Sequence, residues 1–422
     1  MNSSWREYNV GEVCEVVDCQ HKTAPTVNYK TPYKMLRTTN IRNGFIDSVN
    51  VKYVTKETYE AWSVRGKLKR GDVILTREAP MGEVGLIKTD DKFFLGQRLL
   101  QLKANTEILS PEFLYYSFRG PLLQNQIKKH DGTGSVVSNL RIPDLKKFTI
   151  KVPSKTVQSR IVDILGSLDD KIELNRRMNE TLEQMAMALY KHWFVDFGPF
   201  QDGEFVESEM GMIPQGWTVQ ELGNLVSIQT SSVNPAKNEE SQFLHYSIPA
   251  YDEQMRPKLE KGLEIKSNKY LIKRNSILVS KLNPETYRIW TVFAEPSQYE
   301  RICSTEFIVY EPKNENAWAF LNAYFRDDSF KNEFRSHAAG TTGSRQRVAP
   351  RKTLEFKLVV PPDSVLEQFN RICSDYYKIQ NKNIRENEML TETRDYLLPR
   401  LLSGEIEVRE AEEQVEEVLA NA

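Results

Sequence analysis

Asp131-Gly-Thr-Gly-Ser135 and Thr341-Thr-Gly-Ser344 are small, polar, Gly-bearing stretches. Loops of that composition can bring backbone amides against a phosphate, and the same residues serve equally as helix-to-strand turns. The first holds a Gly-x-Gly but lacks the third glycine and the preceding parallel strand of a dinucleotide site, so no cofactor is expected on it. Glu355-Phe-Lys357 has the Glu-x-Lys form found in metal-dependent nucleases. No acidic partner stands on a preceding strand, and the stretch reads as a strand with solvated charges. The five His (His21, His130, His192, His245, His337) are scattered, and the four Cys (Cys14, Cys19, Cys303, Cys373) form no CxxC and no Cys/His set at zinc spacing. Reduced thiols and no metal site are therefore expected. Neither GxxxxGK[ST] nor HExxH occurs, and no Asn-Pro-Pro-aromatic motif is present, so catalysis by this chain is not expected.

What remains is a set of side chains able to read base edges through paired hydrogen bonds. Arg77 and Lys281 end two apolar runs and precede Pro-containing turns. Arg37, Thr38, Asn40 and Arg42 form a polar run between Tyr33 and Phe45, and Arg345, Gln346 and Arg347 follow the second Gly-bearing loop. The candidate DNA-contact set is Arg37, Thr38, Asn40, Arg77, Thr133, Ser135, Lys281, Ser344, Arg345 and Arg347. Taken singly, each also suits a solvated surface.

Charge is unevenly spread behind a net of −1. Residues 1–154 carry 24 Lys+Arg against 16 Asp+Glu, net +8, and residues 213–361 carry 20 against 17, net +3. The stretch from Gly404 to Ala422 carries one base against seven acids, net −6. Two cationic globules suit an anionic partner such as nucleic acid. No apolar run reaches the ~18 residues that span a bilayer, and Met1-Asn-Ser-Ser-Trp5 lacks a basic-then-apolar signal, so a cytoplasmic protein without membrane contact is expected.

The elements that must carry these side chains occur twice. Trp5-Arg-Glu-Tyr-Asn-Val-Gly11 aligns with Trp217-Thr-Val-Gln-Glu-Leu-Gly223, and Lys69-Arg-Gly-Asp-Val-Ile-Leu-Thr-Arg77 aligns without a gap with Lys273-Arg-Asn-Ser-Ile-Leu-Val-Ser-Lys281. Val73–Leu75 and Ile277–Val279 read as strands, Phe93–Leu95 and Phe307–Tyr310 as later strands, and Phe148–Val152 and Phe356–Val360 as closing strands. Glu112–Lys129 and Trp318–Ser336 carry apolar residues at helical spacing. Each half is thus an α+β globule followed by a long helix.

In the first long helix, Ile161, Leu165, Leu168, Ile172, Asn175, Asn179, Leu182, Ala186, Leu189 and Trp193 follow alternating steps of four and three. That is a coiled-coil seam, on a helix roughly 50 Å long at ~1.5 Å per residue. Ile372, Tyr376, Ile379, Asn383, Asn387, Leu390, Arg394, Leu397 and Leu401 repeat it. The Asn pairs align, as expected of amides that fix register. The seam residues proposed for helix pairing and subunit docking are Leu168, Ile172, Asn175, Asn179, Leu182, Leu189, Ile379, Asn383, Asn387, Leu390 and Leu397. The domain plan is 1–154 globule, 155–200 first helix with a linker to 212, 213–361 second globule, 362–404 second helix, and 405–422 an acidic tail expected as a solvated, frayed helix or disordered segment.

With its Val152-Pro153 entrance, the Asn-x-x-Leu seam, Trp193-Phe-Val-Asp-Phe-Gly-Pro-Phe200, Met212-Ile-Pro-Gln-Gly-Trp217 and Leu397-Leu-Pro-Arg-Leu-Leu-Ser-Gly404, the chain resembles the specificity (S) subunits of type I restriction–modification systems. The likeness covers nearly the whole chain and is weakest inside the globules. It implies two target recognition domains on double-stranded DNA, each reading half of a split, asymmetric site. They would be separated by an antiparallel two-helix coiled coil with a pseudo-two-fold repeat. It further implies that the helices dock two modification (methyltransferase) subunits, which hold S-adenosylmethionine, and that restriction (motor and nuclease) subunits join them. No cofactor would sit on this chain. Two globules on a ~50 Å rod would meet DNA one to two helical turns apart, at ~34 Å per turn. The competing readings are a fused DNA-modifying enzyme component and a coiled-coil interaction scaffold that binds no DNA.

Overall fold

A computed structural model of the chain describes residues 5–130, 139–340 and 346–420. Two helices dominate it, Lys155–Tyr190 and Asp363–Ser403, of 36 and 41 residues. A π-helical turn, Lys191–Val195, extends the first, and Pro399 lies within the last turns of the second. The chain divides into two compact units, Met1–Glu173 with Asn387–Ala422, and Leu174–Glu386. Each long helix therefore gives one segment to each unit. The domain plan from sequence set whole helices apart from the globules. The difference has a packing cause: Ile161, Ile164, Leu165, Leu168 and Ile172 are buried in the same core as Phe113, Tyr116 and Ile150 of the first globule.

In the first unit, a four-stranded antiparallel sheet has the order Cys14–Asp18, Leu99–Ala104, Val73–Thr76, Val84–Leu86. Val73, Ile74 and Leu75 are fully buried, because both sheet faces are covered. A second sheet places Tyr33–Leu36 between Lys52–Tyr53 and, in parallel, Lys92–Leu95. Arg6–Asn9 pairs with Thr149–Val152 and so brings the N-terminal strand to the root of the first long helix. The expected helix over 112–129 is two helices, Pro111–Arg119 and Pro121–Lys129. Pro121 offers no N–H to continue the first, and its fixed φ starts the second.

The second unit uses the same build. Its four-stranded sheet runs Val226–Gln229, Phe307–Pro312, Ser276–Ser280, Ile289–Val292. Its second sheet has five strands, with Gln242–Tyr246 parallel to Glu300–Ser304. Thr218–Glu221 pairs with the closing strand Lys357–Val360. The sequence alignment of Val73–Leu75 with Ile277–Val279 thus falls on the third strand of each four-stranded sheet. Phe93–Leu95 and Phe307–Tyr310 do not correspond. Leu99–Ala104 is the counterpart of Phe307–Pro312, and Lys92–Leu95 of Glu300–Ser304, each of the latter two carrying the parallel pairing of its second sheet.

Within each unit the two helix segments run antiparallel. In the first, Arg394 meets Asp169 and Asn387 meets Ile172. In the second, Asn383 meets Asn179 and Phe369 meets Phe194. The linker is more ordered than its lack of periodicity suggests. Phe205–Ser208 and Gly211–Pro214 form a hairpin, and Trp193, Phe194, Phe197, Phe200 and Trp217 pack together in tilted and edge-on pairs around the end of the first helix. The acidic tail also differs from expectation. Val408–Ala420 is a helix with Ala411 and Val415 buried in the first core, and Arg160 holds Glu412 through two hydrogen bonds. Its apolar residues recur at helical spacing among the acids, which is enough to seat one face.

Candidate nucleic-acid interface

The end of the third strand is a junction in both units. In the first, the Arg77 N–H donates to Arg98 O (2.9 Å) and Leu140 N–H donates to Arg77 O (3.1 Å). In the second, the Lys281 N–H donates to Glu306 O (2.9 Å) and Val348 N–H donates to Lys281 O (3.1 Å). The backbone thus seats Arg77 and Lys281 beside the segments that follow the two Gly-bearing loops. The loops themselves, with the candidates Thr133, Ser135, Ser344 and Arg345, lie outside the described residues.

The side chains at these equivalent places differ in kind. Arg77 is buried; its Nε donates to Asn139 Oδ1 (2.9 Å) and its Nη1 to Asp18 Oδ1 (2.9 Å). Its guanidinium is committed to structure, contrary to the expected base contact. Lys281 is half-buried. Arg347 is exposed and forms a two-pronged pair with Glu306, at 3.0 and 3.1 Å.

Asn40 is likewise structural. It is 2% exposed, its Oδ1 accepts from Arg37 N–H (3.0 Å), and its Nδ2 donates to Asn50 O (2.9 Å). Both ends of the amide are engaged in holding the loop. Arg37 and Thr38 are half-buried, and the Arg37 Nε is buried without a hydrogen-bond partner. Arg42, exposed, donates to Thr38 O (2.9 Å) and Ile41 O (2.8 Å). The loop turns back at Asn43 and Gly44, both at positive φ (52° and 88°), between the paired residues Ile41–Arg42 and Phe45–Ile46. Asn-Gly at that place is the sequence signal of a two-residue hairpin.

The seam residues divide. Leu168, Ile172, Asn175, Asn383, Leu390 and Leu397 are buried, and Asn179, Leu182, Leu189 and Asn387 are half-buried. Ile379 is 41% exposed and Ile372 37%, outside the buried seam. Between Leu366 and Tyr377 the buried line is instead Leu366, Phe369, Cys373, Tyr377. Those side chains face the aromatic core of the second unit, which rotates the buried face away from a strict two-helix seam. Asn179 Oδ1 accepts from Asn383 Nδ2 (2.8 Å), and Gln380 Nε2 donates to Asn179 O (2.8 Å), so the amides do fix register there.

Sequence reasoning missed the polar centre of the first unit. Asp169 is 2% exposed and accepts from Arg394 Nη1 (2.9 Å), Arg119 Nη1 (2.7 Å) and the Tyr116 hydroxyl (3.0 Å). Burial pushes the Asp169 carboxyl up, the two guanidinia outweigh it, and the group lies below the usual carboxylate value. An Arg in a seam position was the available signal. In the second unit Arg326 takes a similar corner, donating to Glu183 (3.3 Å) and lying 5.8 Å from the Tyr377 ring centre. An open cleft of about 590 Å³ lies there, lined by acids and bases together (Glu183, Asp327, Arg326, Lys331), so it offers no single-sign field for a phosphate.

Among the described residues, Asp18, Cys19 and His21 bring one ligand-type atom each within 4.8 Å of one another. Arg77 already neutralises Asp18 there, which opposes a second cation. No described helix is long and apolar enough to cross a membrane.

Each unit joins an α+β globule to segments of both long helices. Residues 2–184 match the family described as the Type I restriction modification DNA specificity domain. The chain is 28% identical over 373 residues to the Type I restriction enzyme MjaIX specificity subunit of Methanocaldococcus jannaschii, covering 85% of this chain and 82% of that one. It is 24% identical over 485 residues to the HindI specificity subunit of Haemophilus influenzae, covering 96% and 100%. The crystal structure of the S subunit of a type I restriction-modification system from M. genitalium shares the fold, with a TM-score of 0.54, 17% identity and coverage of 95% and 96%. Over these matches the chain is similar to the specificity subunits of type I restriction–modification systems.

Proposed function

We propose that this chain reads a bipartite, asymmetric DNA sequence, with one target recognition domain for each half-site. Residues 1–154 and 213–361 are those domains. Residues 155–200 and 362–404 are the spacer helices that form an antiparallel coiled coil, related with the globules by a pseudo-two-fold repeat. The observation that carries this reading is the recurrence of one sheet order in both units, with the residue after the third strand (Arg77 or Lys281) bonded through its backbone in each to the segment that follows a Gly-bearing stretch. The two globules differ in sequence, so the half-sites differ.

The chain holds no cofactor and does no chemistry in this reading. Two modification subunits, holding S-adenosylmethionine, dock on the helices, and restriction subunits join through them in the cytoplasm. Exposed apolar side chains on the helices, among them Leu174 and Met178 of the first and Met389 and Tyr396 of the second, supply surface for such docking. Among the DNA-contact candidates, Arg37, Thr38, Lys281 and Arg347 keep that role, and Thr133, Ser135, Ser344 and Arg345 are retained from sequence.

A salt series tests the DNA reading. Affinity of the assembled complex for duplex DNA should fall steeply with salt while the preference for one sequence persists. Salt-sensitive binding with no sequence preference would leave only an electrostatic patch. Absence of binding would favour the interaction-scaffold alternative.

A further inference from the structure

The loop from Arg37 to Asn50 is tied to the helix pair by an unbroken chain of hydrogen bonds, part-buried at the loop and buried at the helices. The Tyr115 hydroxyl donates to Gly44 O at the hairpin turn (2.9 Å). Arg119 Nη1 donates to the Tyr115 oxygen (2.8 Å) and to Asp169 Oδ2 (2.7 Å). Asp169 stands on the first long helix, and its other oxygen accepts from Arg394 of the second (2.9 Å). All members lie in one compact unit.

The seat is built for this loop. A Cβ on Gly44 would fall 2.6 Å from Arg119 Cζ and 2.7 Å from the Tyr115 oxygen, and the residue sits at φ 88°. Only glycine satisfies both demands. The neighbouring Asn43 N–H is held separately, by Glu83 Oε2 (2.9 Å). Apart from buried Asn40 and Ile41, the loop is exposed or half-buried and carries Arg37, Thr38, Thr39 and Arg42. A loop with those donors can read bases only if its position is fixed to within a fraction of an ångström, because paired hydrogen bonds to a base edge tolerate little displacement.

We infer that Tyr115 and Arg119 are positioning residues for DNA reading: anchored through Asp169 and Arg394 to both spacer helices, they hold the turn at Gly44 and so set the register of the Arg37–Asn50 loop on its half-site. This deepens the proposed function and rests on it. Tyr115 and Arg119 touch no DNA in this account; they act through the loop.

The test uses the full chain assembled with its methyltransferase subunits, and reads methylation on duplexes carrying single base changes in each half-site. Tyr115→Phe removes the hydroxyl that donates to Gly44. Discrimination should fall roughly 3- to 10-fold at one half-site, the fold-change of a single hydrogen bond, and stay unchanged at the other. Glu83→Ala removes the acceptor that holds Asn43 N–H, loosens the same turn from the other side and should relax the same half-site. A merely structural role would lower the melting temperature and leave base preference intact. If Tyr115→Phe prevents folding, Glu83→Ala decides alone. Unchanged base preference at both half-sites in the folded variants overturns the inference. Failure of the underlying reading is distinct, since the unmodified chain would then direct methylation to no sequence.

Discussion

Asp169 of the first long helix and Arg394 of the second are joined at 2.9 Å, and both are buried, at 2% and 6% exposure. A buried carboxylate serving two guanidinia is worth little as a net gain but is costly to break, because its removal leaves uncompensated charge. Asp169→Asn should therefore destabilise the first unit by about 3–5 kcal/mol, measured by denaturant unfolding.

The same carboxylate gives a pH signature. Its value in the folded chain lies below the ordinary one, since Arg119 and Arg394 outweigh burial. A depressed group contributes stability above its unfolded value and loses it as pH falls through the folded value. The melting temperature should hold from neutrality to the ordinary carboxylate range (~4) and then drop; in Asp169→Asn the acid limb of the drop should be shallower.

Arg77 and Lys281 occupy equivalent strand ends and should behave oppositely. Arg77→Ala strands Asp18 and should cost roughly 2–4 kcal/mol of stability, seen in melts. Lys281→Ala should leave the melt unchanged, weaken DNA binding, and reduce the salt slope of the binding constant by about one.

Asn179 and Asn383 set register at a cost. Asn383→Leu alone should destabilise by about 1–3 kcal/mol, because Asn179 Oδ1 loses its donor. With Asn179→Leu added, much of that should return. A double-mutant cycle measures the coupling, and absence of coupling would contradict the assigned pair.

Burial pushes the thiols of Cys14 and Cys373 up to about 12, and raises Cys19 and Cys303 as well. All four are free and buried. The native chain at pH 8 should react slowly with a thiol reagent, and all four should titrate once it is unfolded.

The periodic parts of this fold were legible in the sequence. Steps of three and four marked both long helices, and the gapless match of Lys69–Arg77 to Lys273–Lys281 marked the third strand of each sheet. What sequence pattern does not encode is where each polar side chain spends its hydrogen bonds. Arg77 and Asn40 have the right type for base reading and are consumed by Asp18, Asn139, Asn50 and the Arg37 amide. Ile379 has the right period for the seam and is exposed, because Phe369, Cys373 and Tyr377 turn the helix toward the second core. The hairpin at Asn43-Gly44 is plain in the sequence, but its contacts with Tyr115 and Arg119 are not.

The most direct measurement is methylation mapping of DNA from cells carrying the partner methyltransferase, with and without this chain. Methyl-adenine at one split, asymmetric motif, appearing only when the chain is present, is the predicted result. A methylated motif that is unchanged when the chain is removed would contradict its role in DNA specificity.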